Sequence, residues 1–357
     1  MAIVCSLIGL SKECFEMNIR SILDSLFERK ALLRSEARIL AAWFADGSLE
    51  TSQVGACLSL MSTRPFSRDE VLGFRDTFIE RSFALDFSEW DPLDVCGTGG
   101  DGKHSFNIST ASALLLAAAG VKLAKHGNYA VSSLCGSSNL LEAMGYVFKS
   151  DESALKVELE KRSICFIHAP LFHPAMKFVA PVRKALGIKT IFNCLGPLLN
   201  PAKVRFQLSG VFSLPVFRIY DEVLRTLSES NGGRYCVVHS SDGSDEVSLS
   251  APCHISTPEG RSYLEPSVFP YRGEVFPYVR PEEIKSPESM KDRVLLMEQF
   301  LKGEAPKGLE EVILVNAALA YCTRFPEVSL GEARSLLRES LLSGKAYKNT
   351  KLLLEMQ

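Results

Sequence analysis

From Asn18 to about Ser88 the apolar residues fall at helical spacing. In NIRSILDSLFERKAL, Ile19, Ile22, Leu23 and Leu26 share one face, as positions three and four apart do on a helix. SRDEVLGFRDTFIERS opens on a serine and acidic residues, then carries Val71, Phe74 and Phe78 on one side, which predicts a capped helix. Nothing in this stretch alternates as a strand does. A small helical domain is therefore expected over 17–89.

At DPLDVCGTGG the pattern changes: a short apolar strand runs into glycines. NISTASALLLAAAG then reads as a buried helix, with Asn107 to Thr110 as its caps and Gly120 as its end. VKLAKHG predicts a second strand and GSSNLLEAMG another capped helix, closed by Gly145. ICFIHAP predicts a third strand, and TIFNCLGPLLNP reads as a strand followed by a proline-rich loop. FQLSGVF and RYCVVHSSDG are further strands, with the helix PVFRIYDEVLRTLSES between them. Cys253 to Lys291 is less regular, with strand-like pieces. LEEVILVNAALAYCTR and SLGEARSLLRESLLSGKA predict strong C-terminal helices. Strands alternating with helices imply a parallel sheet covered on both faces. The expected fold is α/β: a small N-terminal helical domain plus a large α/β domain with a mainly parallel sheet over 90–357.

Composition narrows the function classes. The chain has 357 residues, 46% apolar and 23% charged, with a formal net charge of −2, and this is a globular profile. Lys and Arg form no basic stripe, so nucleic acid is not an expected partner. No apolar run reaches the 18 residues of a membrane-spanning helix. None of the ten cysteines stands in a C-x-x-C pair; they read as reduced core residues of a cytoplasmic protein rather than as zinc ligands or disulfides. AIVCSLIGL near the start lacks the preceding basic residues of a signal peptide. Residues 1–16 read as an N-terminal extension, or as the product of an upstream start codon with Met17 as the functional start.

DVCGTGGDGKHSFNIST sets Gly97, Gly99, Gly100 and Gly102 within six residues. Gly97, Gly99 and Gly102 fit G-x-G-x-x-G, yet the helix caps lie well past the loop and the region some 20 residues on is the basic VKLAKHG, so the dinucleotide pattern is incomplete. Gly97, Gly102 and Lys103 nearly fit a P-loop, but His104 occupies the hydroxyl position that binds magnesium. A glycine-rich turn is the structural alternative, though four clustered glycines carry an entropy cost. The remaining reading is a phosphate ester held by backbone N–H groups and by the positive end of the following helix. KHGNYAVSSLCGSSN places a second polar loop at a strand end, where parallel sheets bind ligands. In SSDGSDEVSLS, Asp245 and Glu246 become credible magnesium holders once phosphates are near.

Together, GTGGDG…SFNISTASA, AKHGN, CGSS, LLEAMG, HPAMKFVAPVRKALGIKTIFNCLGPLLNPA and DGSDEVS resemble the anthranilate phosphoribosyltransferase family of tryptophan biosynthesis, from about Asn18 to the C-terminus. The resemblance implies transfer of a phosphoribosyl group from 5-phosphoribosyl 1-diphosphate (PRPP) to anthranilate, with Mg2+ as cofactor. It also implies a homodimer, an active site in the cleft between the two domains, and return of about 173–188 to the helical domain. By the same resemblance, Gly97, Gly100, Asp101, Ser105, Asn107, Ile108, Ser109, Thr110, Lys125, His126, Gly127, Asn128 and Ser137 contact PRPP. Gly97, Asn128, Arg183 and His173 contact anthranilate. Ser109, Asp245 and Glu246 hold metal, and no residue is assigned as acid, base or nucleophile. Three positions depart from the family pattern: Leu134 stands for a usual Lys, Asn139 for a frequent Asp, and Ser244 for an apolar residue. A nucleoside phosphorylase-like enzyme and a non-catalytic nucleic-acid-binding relative are the alternatives.

Overall fold

Seven strands form one sheet in the order β3-β2-β1-β4-β5-β6-β7. They are β1 Leu93–Val95, β2 Leu123–Gly127, β3 Ile164–His168, β4 Phe206–Gly210, β5 Arg234–Ser240, β6 Cys253–Thr257 and β7 Gly260–Leu264. In this computed structural model, residues 18–129, 135–268 and 270–356 are described. The expected extension over 1–16 and the Leu134 departure lie outside them.

β1 to β5 pair in parallel, and the last two pairings, β5 with β6 and β6 with β7, are antiparallel. β2 and β3 are buried nearly throughout, as strands covered on both faces must be, although β2 carries Lys125 and His126 into that interior. One face packs on the buried helix Ile108–Ala118 and on Lys307–Arg324 through a continuous core that includes Leu114, Leu115, Val312 and Val315. The other face carries Phe87, Leu155, Leu159, Ile167 and Phe172. Strand order reverses at β1: the chain builds outward to β3, then returns with β4 on the other side. Such a switch point opens a crevice at the carboxyl ends of the flanking strands.

The chain divides into two compact units. One takes in the chain through Phe83 together with His173–Leu198, and the other Ala84–Phe172 with Leu199–Gln357. The first is helical, with Ile19–Phe27, Arg34–Asp46, Thr51–Met61, Arg68–Glu80 and Met176–Leu186 as its main elements. Its centre is aromatic: Phe74 meets Phe44 and Phe192 edge to face, each at 5.8 Å between ring centroids, and Phe78 meets Phe192 at 5.2 Å. Ser67 caps Arg68–Glu80 reciprocally with Glu70.

Two expectations fail. TIFNCL forms no strand; Phe192–Leu195 is a short helix followed by a 3-10 turn over Gly196–Leu198. Asn193 Oδ1 accepts the Thr190 N–H at 2.9 Å, and Phe192 turns into the aromatic centre of a unit whose described residues offer no sheet to pair with. The C-terminal SLGEARSLLRESLLSGKA is also not one helix. Leu330–Leu342 stops at Ser343–Gly344, and a separate helix runs over Lys345–Leu354.

Candidate active site

The glycine loop leaves β1 at the switch point and is laced to its neighbours by backbone. Cys96 N–H donates to Leu208 O at 3.1 Å and Thr98 N–H to Gly210 O at 2.9 Å. Gly97 and Gly210 are glycine because the Asp245 segment passes directly against them. A Cβ on Gly97 would stand 2.4 Å from Asp245 Oδ2, and one on Gly210 only 1.4 Å from Asp245 O. Gly99, Gly100 and Gly102 then take positive φ, the left-handed backbone conformation that anion nests use. The Gly99 N–H already donates to Asp245 Oδ2 at 2.6 Å. Beyond the loop, Phe106 N–H bonds Ile284 O at 2.8 Å and Ser286 N–H bonds His104 O at 2.9 Å, so 104–106 is fixed as an added strand-like edge.

The helix Ile108–Ala118 begins here. Asn107 occupies its N-cap position but makes no capping bond, contrary to expectation. Its Nδ2 instead reaches Cys135 O at 3.3 Å, and its Oδ1 is buried without a partner. Ile108 and Thr110 are 1% and 0% exposed; the Ile108 side chain therefore belongs to the core, and its N–H is bonded to Phe106 O at 2.7 Å. Ser109 remains partly exposed and accepts from Lys125 Nζ at 3.3 Å. Lys125 is 2% exposed. Its ammonium also donates to Val95 O, and burial lowers its pKa. His126, likewise buried, gives its N–H to Asp94. Gly127 lies against the Ser137 hydroxyl, and Asn128 O accepts the Ser138 N–H at 3.3 Å. Asn139 Oδ1 accepts the Gly136 N–H at 3.0 Å, so the Asp-to-Asn departure keeps its acceptor.

Asp245 and Glu246 lie in the loop after β5. Ser240 Oγ donates to Glu246 O at 2.6 Å. Asn316, from the helix Lys307–Arg324, brackets the next residue: Oδ1 accepts Val247 N–H at 3.1 Å and Nδ2 donates to Val247 O at 2.9 Å. Burial, then the charge of Asp101, pushes the Asp245 carboxyl up. Burial, then Asp245, pushes Glu246 well up, against a hydrogen bond from Ser105. Both residues keep some exposed surface, yet Glu246 Oε1 is covered and has no hydrogen-bond partner. Carboxylates so crowded and so poorly compensated suit a hard divalent cation. Among the described residues no group of three or more His, Cys, Asp or Glu forms a closed metal cage. That fits magnesium, which takes one or two carboxylates and completes its shell with phosphate and water. Ser109 bonds to Lys125, and no bond joins it to the carboxylate pair.

Asp94 and Asn200 were not anticipated. Asp94 is 0% exposed and Asn200 4%, and Asn200 Nδ2 donates to Asp94 Oδ2 at 2.9 Å. Burial raises the Asp94 carboxyl to about 6, against the Lys125 charge and the Asn200 bond. A carboxylate inside the apolar strand PLDVC was the available signal.

Arg183 and His173 lie in the helical unit. Arg183 projects from the helix Met176–Leu186 with its guanidinium 5.2 Å from the Phe192 ring centroid. Burial lowers its pKa, and no carboxylate of the described residues pairs with it. His173 is 5% exposed. The eight described cysteines are all free. Among the described residues no helix is long and apolar enough to cross a membrane.

A model of the glycosyl transferase family, a/b domain, matches residues 89–347. The parallel sheet and the phosphate-suited switch point are thus those of a glycosyl transferase. The chain is 38% identical over 333 residues to the anthranilate phosphoribosyltransferase of Cytophaga hutchinsonii, covering 92% of this chain and 98% of that one. The crystal structure of the Thermus thermophilus anthranilate phosphoribosyltransferase superposes with a TM-score of 0.85 at 32% identity, covering 94% of this chain and 98% of that one. The Saccharomyces cerevisiae enzyme in complex with PRPP and Mg gives 0.84 at 25%, covering 97% and 98%. The chain belongs to the anthranilate phosphoribosyltransferase family.

Proposed function

We propose that the chain transfers the 5-phosphoribosyl group of PRPP to anthranilate, giving N-(5-phosphoribosyl)anthranilate and pyrophosphate, in tryptophan biosynthesis with Mg2+ as cofactor. One observation carries this reading: the switch point sets a glycine nest, a helix N-terminus and buried Lys125 beside a carboxylate pair with a covered, unpartnered oxygen. Such a set suits a polyphosphate that arrives with a divalent ion.

In this reading Gly97, Gly100, Asp101, Ser105, Asn107, Ser109, Lys125 and Ser137 surround PRPP, and Ile108 and Thr110 contribute through the helix end rather than through their buried side chains. Asp245 and Glu246 hold Mg2+, with Ser109 as a further oxygen ligand. When bound, the cation neutralises phosphate charge and stabilises the departing pyrophosphate. Lys125 and the N–H groups of the glycine loop stabilise the same developing anion. The aniline nitrogen attacks the anomeric carbon. The bond from that carbon to the pyrophosphate oxygen breaks, its electron pair leaves with pyrophosphate, and the nitrogen sheds a proton. No covalent enzyme intermediate forms. Positioning matters more than a strong base for such a nucleophile. Arg183 grips the anthranilate carboxylate with two parallel N–H bonds. The chain works as a cytoplasmic homodimer, a state that light scattering checks.

The test is anthranilate fluorescence on mixing with PRPP and Mg2+. A fall that needs both, and that disappears in Asp245→Ala/Glu246→Ala, is the expected result. No fall with folded protein, but phosphorolysis of nucleosides, would replace the reading with a phosphorylase.

A further inference from the structure

Strands β1 and β2 are neighbours, but they match at one place only, Leu93 with Leu123. β2 matches β3 over five residues and β1 matches β4 over three. Past Leu93, backbone groups that a closed parallel ladder would join are taken by side chains instead. Ala124 O accepts from Asn200 Nδ2 at 2.8 Å. His126 N–H donates to Asp94 Oδ1 at 3.2 Å. Val95 O accepts from Lys125 Nζ. The same Asn200 nitrogen also bonds Asp94 Oδ2, and Asn200 Oδ1 is fixed by the Ala202 N–H at 3.0 Å. The two strands fork, and three buried polar side chains fill the fork.

We propose that Asp94 and Asn200 are positioning residues for the transfer reaction: they hold the β1–β2 fork open and so fix Lys125 Nζ at the carboxyl end of β1. The inference rests on the reading that Lys125 grips a phosphate of PRPP. A lysine is a point charge on a flexible stem, so it needs an anchor to be aimed. An ammonium has three N–H donors. Val95 O and Ser109 Oγ engage two, which leaves the third for an anion. Were the ladder closed, Val95 O would already hold a backbone N–H, and the Lys125 ammonium would compete for its remaining lone pair. Asp94 adds the negative charge that keeps a buried ammonium tolerable, and Asn200 keeps Ala124 O satisfied while the strands stay apart.

The test is a double-mutant cycle with Asp94→Asn and Lys125→Gln, read as kcat and KM for each substrate. Asp94→Asn has one acceptor oxygen where two donors converge, so its amide nitrogen must face either Asn200 Nδ2 or the His126 N–H. It is expected to lower kcat/KM for PRPP by about 100-fold, as a misplaced catalytic group does, with KM for PRPP raised and KM for anthranilate within about twofold. In the Lys125→Gln background the same change is expected to cost less than about threefold, because residues acting as one unit are not additive. A merely structural role would lower the active fraction, and hence kcat alone, by the same factor in both backgrounds; that result overturns the proposal. Where Asp94→Asn does not fold, Asn200→Ser, which keeps a small donor, carries the same cycle with the same expectations. A Lys125→Gln enzyme with unchanged kcat/KM for PRPP would instead overturn the role of Lys125, and an inactive wild type would overturn the transferase reading.

Discussion

Gly210 has room for a hydrogen and nothing more, because the Asp245 carbonyl lies where a side chain would begin. Gly210→Ala must displace the backbone that carries Asp245 and Glu246. Overpacking of this kind costs about 3 kcal/mol or more, so the urea midpoint is expected to fall and the Mg2+ concentration for half-maximal rate to rise. An alanine variant with normal metal dependence would show that the close approach does not set the carboxylates. Gly210 was invisible in the sequence, since FQLSGVF reads as a strand with one ordinary glycine. The same holds for Asn200 in LLNPA. Its partners, Asp94 and Ala124, are far away along the chain, and a residue's value as a clamp is written in those distant contacts. Lys125 and the Asp245–Glu246 pair were easier to single out, because charges at a strand end or side by side stand out against apolar neighbours, whereas Asp94, a lone carboxylate inside PLDVC, was passed over.

Asn316 sits in the middle of an apolar helix and brackets Val247 through both backbone groups. Asn316→Ala leaves a buried N–H and a buried carbonyl unmatched, at about 3 kcal/mol together. Thermal melts should show the loss, and the half-saturating Mg2+ should rise because Glu246 immediately precedes the bracket. Ser67→Ala makes a contrast: it removes one capping bond of Arg68–Glu80 and should cost about 1 kcal/mol, with KM for PRPP unchanged. A shifted KM there would mean that the helix end influences the phosphate site. The elements themselves were largely legible. Period and caps marked the helices, and apolar runs ending in Gly, His or Ser marked β1 to β5. TIFNCL misled because three strand-favouring residues in a row say nothing about whether a sheet lies beside them. β6 and β7 were sensed only as irregular strand pieces, since prolines and exposed polar residues such as Arg261 and Ser262 blur the alternation.

Burial raises Asp94, Asp245 and Glu246 alike. A carboxyl with a higher pKa folded than unfolded takes up protons on folding. The stability it contributes is therefore complete below about pH 4 and is lost as pH rises through the folded value, about 6 for Asp94. Mg2+ binds the ionised pair, so its stabilising effect has the opposite slope. The gain in Tm on adding Mg2+ is expected to grow from pH 5 to pH 8, and to be flat in Asp245→Asn/Glu246→Gln. An equal gain at both pH values in the wild type would remove the carboxylates from the metal site. The interleaving of the two units has a different consequence, which concerns synthesis. The helical unit needs His173–Leu198 to be whole, and the ribosome makes residues 84–172 first. At about 5–20 residues per second, that stretch takes roughly 5–20 s. Phe74 and Phe78 must wait that long for Phe192. The nascent chain thus carries an unclosed aromatic surface through the middle of translation, and that interval is when a chaperone would be most useful to it.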